Sequence, residues 1–387
     1  MSLSWVLQHK RFVLALTVLT LAVNVFLFIY IPKGFFPQQD IGCLSGTIVG
    51  DQDIAFDAMK RKTQSLARIV QDDPAVDTVA AYVGGGSVNS GRMYIGLKPL
   101  DQRSETADQV IDRLRDKLSN VAGITLYMTA SQDLRIGGRH SNAQYQYSLT
   151  GQDLSELYSW GPKLLSALQT LPELRDVNSD QQMNGLEENV TIDRDTAARL
   201  GITPQQIDNA LYDAFGQREI STIYRRLNQY HVVLEVDPHF KNDPDSLKAV
   251  YVIAQGKQVP LSSFVRFGVS NTALAVNHQG QFPSVTISFN LAPGIALGDA
   301  TRAIEATEQE LRLPASIHSS FAGSAAAFED SLSSEPLLVL AALFAVYIVL
   351  GILYESYIHP ITILSTLPLA GTGALLALLL FRMDLGM

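Results

Sequence analysis

Glycines, serines, histidines and methionines are the residues of this chain whose types and spacing could do chemistry. The stretch GGGSVNSG, residues 84 to 91, has the glycine density of a phosphate cradle. A cradle of that kind needs a Gly-Lys-Ser/Thr and the start of a helix immediately after it. Neither follows, and the stretch joins two strand-like segments, so it reads as a mobile loop. A nucleophile elbow of the form GxSxG is also missing: Ser87 has Asn89 where the last glycine belongs, and Ser324 is flanked by Ala322 and Ala326. The seven histidines show no HxxxH or CxxC spacing, so a zinc site is not expected. Met93, Met128 and Met183 could converge as soft ligands for Cu(I), or simply fill cores. Cys43 excludes a disulfide within the chain and reads as a small buried residue on a strand.

Placing these residues requires the elements that carry them. Three charge-free apolar runs, 12–31, 336–353 and 361–381, have the length a helix needs to cross roughly 30 Å of hydrocarbon. Asn24 is the strongly polar residue of the first run. The apolar part of that run is too long for a signal peptide, and the IPKGFFP after it lacks a small-residue cleavage pattern. It therefore reads as an uncleaved span. Lys10 and Arg11 before it place the N-terminus in the cytoplasm by the positive-inside rule. LYESYIHP, 353–360, then reads as the polar loop of a helical hairpin, with Glu355 and His359 at its surface. None of the three runs carries an Asp, Glu, Lys, Arg or His, so a proton relay is not expected in them. FRMDLGM follows the third run as though a further span had been cut away. A net charge of -9 argues against a nucleic-acid partner.

Between the first and second runs the pattern repeats. CLSGTIVG, DIAFDAMKRKTQSLARIVQDD and AVDTVAAYV give strand, helix and strand; RMYIGLKP, SETADQVIDRLRDKLSNV and ITLYMTA give the same order again, with Ser104 able to cap the helix. That is one split βαβ unit. QYQYSLTG, DLSELYSWGPKLLSALQTLP and ELRDVNSD begin a second, which SVTISFNL, LGDATRAIEATEQELR and SIHSSFAG complete. The insertion between its halves, about 185 to 272, reads as a small domain built from ENVTIDRD, the helix TPQQIDNALYDAF and the strand pair EISTIYRR and NQYHVVLEV.

This order, with IPKGFFPQQD after the first span and VYIVLGILYESYIHPITILSTLPLAGTGALLAL in the hairpin, closely resembles the second half of a resistance-nodulation-division (RND) multidrug efflux transporter. VNSDQQMNG, FGQREISTIY, NQYHVVLEVDP and VNHQGQFP resemble the branch of that family whose trimers mix two paralogues. The resemblance implies a membrane α-helical plus α+β chain: three transmembrane helices and a large periplasmic region of two ferredoxin-like porter subdomains with an inserted docking domain. The implied boundaries are 1–31 for the first span, 32–140 for one porter subdomain, 141–184 with 273–334 for the other, 185–272 for the docking domain and 335–387 for the hairpin.

By the same resemblance, drug-binding positions are Ser45, Thr47 and Val49 on the first strand, Tyr82, Arg92 and Tyr94 beside the glycine-rich loop, and Leu126, Met128 and Ala130 on the last strand. Arg135 and Gln182 fall where the access cleft carries polar groups. Gly84, Gly85, Gly86, Ser87, Val88 and Asn89 form the switch loop, shorter than is usual in the family and without its phenylalanines. Each of these residues also has a plain reading as strand packing. The resemblance implies an inner-membrane, multi-pass, proton-driven pump component without cofactor and without enzymatic activity. Its implied partners are other subunits of a homo- or heterotrimer with a paralogue, a periplasmic adaptor protein, an outer-membrane channel and small amphiphilic drugs. A copper or silver exporter, or a non-drug export or assembly factor, would share the scaffold.

Overall fold

The structure is a computed structural model and describes residues 9–35, 39–133, 137–139, 141–241, 243–381 and 383–386. It opens with helix α1 (Lys10–Tyr30), whose apolar side chains are mostly exposed. After it come β1 (Cys43–Gly50), α2 (Phe56–Gln71), β2 (Val76–Val83), β3 (Ser90–Leu97), α3 (Ala107–Leu118) and β4 (Ile124–Ala130). The four strands form one antiparallel sheet in the order β2-β3-β1-β4. α2 buries Met59, Thr63, Leu66 and Val70, one per turn, against the sheet residues Leu44, Ile48, Met93 and Ile95.

α3 starts two residues later than Ser104 would place it. Thr106 accepts from the Gln109 N–H at 3.4 Å, and the Gln109 carboxamide accepts from the Thr106 N–H at 2.9 Å. This reciprocal pair satisfies two end donors that Ser104 could not reach. The buried Asp73 carboxylate ties the end of α2 to α3, accepting from Arg113 at 2.6 and 3.0 Å and from Lys117 at 2.8 Å. Burial alone would raise its pKa. The two cations override that and hold it at about 2.

A second module begins with β5 (Tyr145–Gly151), α4 (Leu154–Leu168) and β6 (Leu174–Ser179). Pro162 lies inside α4 and has no N–H to give the Tyr158 carbonyl; the Gln181 side chain donates to that carbonyl instead, at 3.1 Å. The chain then enters a separate compact unit, Met183–Leu274. There β7 (Gly185–Ile192) is followed by α5 (Arg194–Arg199), α6 (Pro204–Phe215), the ribbon β8 (Arg218–Tyr224) and β9 (Gln229–Leu234), the hairpin β10 (Tyr251–Ala254) and β11 (Lys257–Pro260), and β12 (Val265–Thr272). β7 and β12 pair antiparallel along their whole length. The β10–β11 turn holds Gln255 and Gly256 at φ of 51° and 79°, the mirror-image turn that two-residue hairpins prefer.

The second module resumes with β13 (Phe282–Leu291), α7 (Leu297–Leu311) and β14 (Ile317–Ala322). Its sheet runs β6-β13-β5-β14, the same order by rank as the first. Leu149, Leu157, Ile287, Phe289 and Ile304 fill its core.

β14 leads through Gly323 into α8 (Ser324–Tyr354), a continuous 31-residue helix. Its first turns bury Ala325 and Phe328 in the core of the second module, and the rest exposes Leu337, Leu338, Phe344 and Val349. Among the described residues, α1 and α8 are long and apolar enough to cross a membrane. The third run expected over 361–381 is interrupted. It forms α9 (Ile358–Leu364) and α10 (Leu367–Phe381), separated by a turn at Ser365 and Thr366. Pro368, the second residue of α10, has no N–H to donate to the Leu364 carbonyl one turn earlier, so the hydrogen-bond ladder of α9 is not carried across the turn. The LYESYIHP loop is also shorter than expected: Glu355 is a left-handed cap at φ 48°, and His359 already lies in α9. α10 packs on α1 through Leu27, Ile31 and Leu375, and Asn24 donates to the Thr372 hydroxyl at 3.2 Å.

Candidate functional site

Strand alternation gives the first sheet two unlike faces. On β1, Leu44, Gly46 and Ile48 turn toward the helices, while Cys43, Ser45, Thr47 and Val49 turn away. Cys43 is thereby exposed, at the first position of its strand, and is not the buried residue expected. Register extends the open face across the sheet. One row reads Tyr82, Arg92, Thr47 and Tyr127; the next reads Ala80, Tyr94, Ser45 and Thr129. Ser45, Thr47, Val49, Tyr82, Arg92 and Tyr94 therefore share one surface. The Tyr82 and Tyr94 rings lie 6.4 Å apart at 33° and are 47% and 50% exposed, an aromatic pair open to a ligand. Arg92 is half-buried between Tyr82 and Thr47 and, among the described residues, has no hydrogen-bond or ion-pair partner.

The last strand is placed differently. Leu126 and Met128 are 7% and 3% exposed in the helix-side core, and Ala130 packs against that core. Their neighbours Thr125, Tyr127 and Thr129 occupy the open face. The alternation in ITLYMTA carried that signal, because its more polar residues sit on one parity. Burial and then the charge of Asp176 push the Tyr127 hydroxyl above its ordinary pKa.

The loop at the end of the face is anchored. Gly84 and Gly85 adopt φ of 97° and 98°, open to glycine and strained for other residues. The loop then closes on Asn89, which is 2% exposed. Asn89 donates to the Gly50 carbonyl at 3.2 Å and to Gln182 Oε1 at 3.0 Å, and accepts from Ser87 Oγ at 2.7 Å. Gly86 and Val88 lie between these anchors, Val88 exposed. Gln182 thus meets the first module through the loop, whereas Arg135 lies outside the described residues.

A second bridge joins the modules. Arg115 on α3 donates to Asp176 at 2.9 and 2.6 Å, and Arg175 pairs with Asp112 at 3.2 Å. Asp176 stands at φ 52° and also accepts from Asn290 at 2.9 Å. Sequence reading missed this cross-link, since nothing in the spacing of charges 61 residues apart signals a pair.

Met93 and Met128 flank Gly46 in register on the helix-covered side of the sheet, not on the open face. Met183 belongs to the Met183–Leu274 unit. That unit has its own cavity of about 810 Å³ between α6, the end of β9 and β10, lined by Asp213 and Glu235 and by no basic side chain.

The family model described as "AcrB/AcrD/AcrF family" matches residues 1–387. The chain is 54% identical over 382 residues to "Multidrug resistance protein MdtC" of Escherichia coli, covering 98% of this chain and 37% of the relative. The same figures hold for MdtC of Escherichia fergusonii. The chain thus spans about a third of the length of these relatives. Among solved structures, two crystal forms of "a heavy metal efflux pump" superpose with TM-scores of 0.86 and 0.84 at 19% and 20% identity. They cover 99% and 97% of this chain and 41% and 40% of theirs, a likeness of fold.

Proposed function

The chain belongs to the AcrB/AcrD/AcrF family, and from that membership we propose that it supplies one part of a proton-driven RND multidrug efflux pump in the inner membrane. The observation that carries this reading is the 54% identity to MdtC over 98% of the chain. In this reading α1 and α8 cross the membrane and the two sheet modules are porter subdomains on the periplasmic side. The Met183–Leu274 unit is the docking domain, and the open face of the first sheet lines the drug path. Exposed tyrosines among neutral hydroxyls suit loose apolar recognition with few polar anchors. The drug-binding roles of Ser45, Thr47, Val49, Tyr82, Arg92 and Tyr94 rest on that shared face. The described parts of α1, α8 and α10 carry no Asp, Glu, Lys, Arg or His in their apolar stretches. Proton coupling is therefore assigned to the remainder of a complete pump, and this part does not transport alone. Its partners are further subunits of a homo- or heterotrimer, an adaptor protein and an outer-membrane channel.

The test is a chimera. Residues 1–387 replace the matching segment of Escherichia coli MdtC, and drug resistance is measured in a pump-deficient strain that also supplies the paralogue. Restored resistance at normal abundance is the expected result; an assembled but inactive chimera overturns the reading. A metal-export reading draws on the fold likeness to the heavy metal efflux pump. The helix-side burial of Met93 and Met128 removes the methionine cluster that would have favoured it.

A further inference from the structure

On the tyrosine-lined face of the first sheet, the Arg92 guanidinium has no hydrogen-bond or ion-pair partner among the described residues. A half-buried cation without a partner gives up hydration and gets no ion pair in return. On this face the condition is specific to one position: within the paired registers of the four strands, every other residue that shares the face of Arg92 is uncharged. The carboxylate acting on Tyr127, Asp176, is already held by Arg115 and Asn290. Around Arg92 the row runs Tyr82, Arg92, Thr47, Tyr127. At roughly 4.8 Å between strands, the outer tyrosines stand about 14 Å apart. That span holds a fused-ring or biaryl skeleton with a rigid donor fork near its middle, and Thr47 adds a hydroxyl beside the fork.

We infer that Arg92 binds the anionic group of amphiphiles bearing one carboxylate or sulfonate on an aromatic or fused-ring body, with Tyr82, Tyr94 and Tyr127 taking the rings. The inference rests on the reading of this face as part of the drug path. Charge-assisted bonds from a planar guanidinium are stronger than neutral ones and fit such groups in a bidentate way. Anionic amphiphiles should then be favoured over neutral ones of the same shape.

Two probes share a ring system and differ by one sulfonate: 1-anilinonaphthalene-8-sulfonate and N-phenyl-1-naphthylamine. Their affinities for the complete purified pump are measured by fluorescence for the parent, Arg92→Gln, Arg92→Lys and Tyr94→Ala proteins. The expected result is that Arg92→Gln lowers the anionic-to-neutral affinity ratio about tenfold, the scale of one charge-assisted bond. Arg92→Lys should recover part of that ratio, and Tyr94→Ala should weaken both probes together. A ratio unchanged in Arg92→Gln, with Tyr94→Ala still weakening both, overturns the charge preference and leaves the face as a binding surface. If neither substitution changes either probe, the face is not on the drug path and both readings fall. If Arg92→Gln lowers both affinities equally, Arg92 is paired within the complete pump and the inference is wrong.

Discussion

The Asp176 carboxylate accepts two hydrogen bonds from the Arg115 guanidinium, at 2.9 Å from Nε and 2.6 Å from Nη2, and so clamps α3 of the first module to β6 of the second. The side chains are 33% and 15% exposed, between the surface pairs that contribute little and the buried pairs whose disruption is costly. Asp176→Asn keeps a side chain that tolerates the left-handed backbone and removes the charge. It should lower stability by about 1–2 kcal/mol. A thermodynamic cycle with Arg115→Met on the complete protein checks it: additive effects would show that the clamp carries no coupling.

Asp73 predicts an acid limit. Its folded pKa, about 2, lies below the ordinary 3.8, so its stabilisation is present above pH 4 and is lost as pH falls from there toward 2. Asp73→Asn should flatten the unfolding profile over that window, and should lower stability near pH 7 by about 1–3 kcal/mol. Chemical denaturation at several pH values separates the two effects. An unaltered acid profile in the variant would remove Asp73 from the account.

β4 offers a test of face within three residues. Leu126→Ala empties core and should cost about 2–4 kcal/mol. Tyr127→Ala should cost less stability and weaken amphiphile binding by the complete pump. Melting temperature and probe affinity, measured on both variants, should rank them in opposite order; the same order in both would contradict the assignment of the open face.

The loop prediction concerns its anchor. Asn89→Ala deletes the donor to Gly50 and Gln182 and should raise amide exchange over residues 84–88. Gln182→Ala leaves the bond to Gly50 in place and should raise it less. Gly85→Pro with Gly86→Pro should lower export at unchanged trimer yield, because proline cannot adopt the φ of 98° at Gly85. Unchanged resistance at equal expression would count against a moving loop.

Glu355 and His359 flank the start of α9. Glu355→Gln and His359→Ala should alter abundance modestly and leave export per molecule nearly unchanged in reconstituted pump under an imposed pH gradient. Abolished coupling with normal assembly would place this turn on the proton path.

What was legible in the sequence follows from which forces act locally. CLSGTIVG announced its strand because alternate residues pack on helices. α2 announced itself through Met59, Leu66 and Val70 at helical spacing. ITLYMTA alternates as clearly, and of the two readings open for Leu126 and Met128 it is strand packing that their burial under the adjacent helices matches. The broken third run shows a single proline acting within a composition that otherwise reads as one span. The Arg115–Asp176 clamp was invisible for another reason: its partners meet only after two modules have folded and docked.

The unbroken course of α8 has a mechanical meaning. From Phe328, seated in the second module, to Tyr354 the helix runs 26 residues, about 39 Å at 1.5 Å per residue. It is one hydrogen bond short at Pro336. A rod of that length is a lever: a rotation of ~5° at the Phe328 seat moves the far tip by about 3 Å, half a helical turn. Small reorientations of the sheet module are thus amplified into displacements as large as an atom's diameter at the opposite end, without any rearrangement along the shaft.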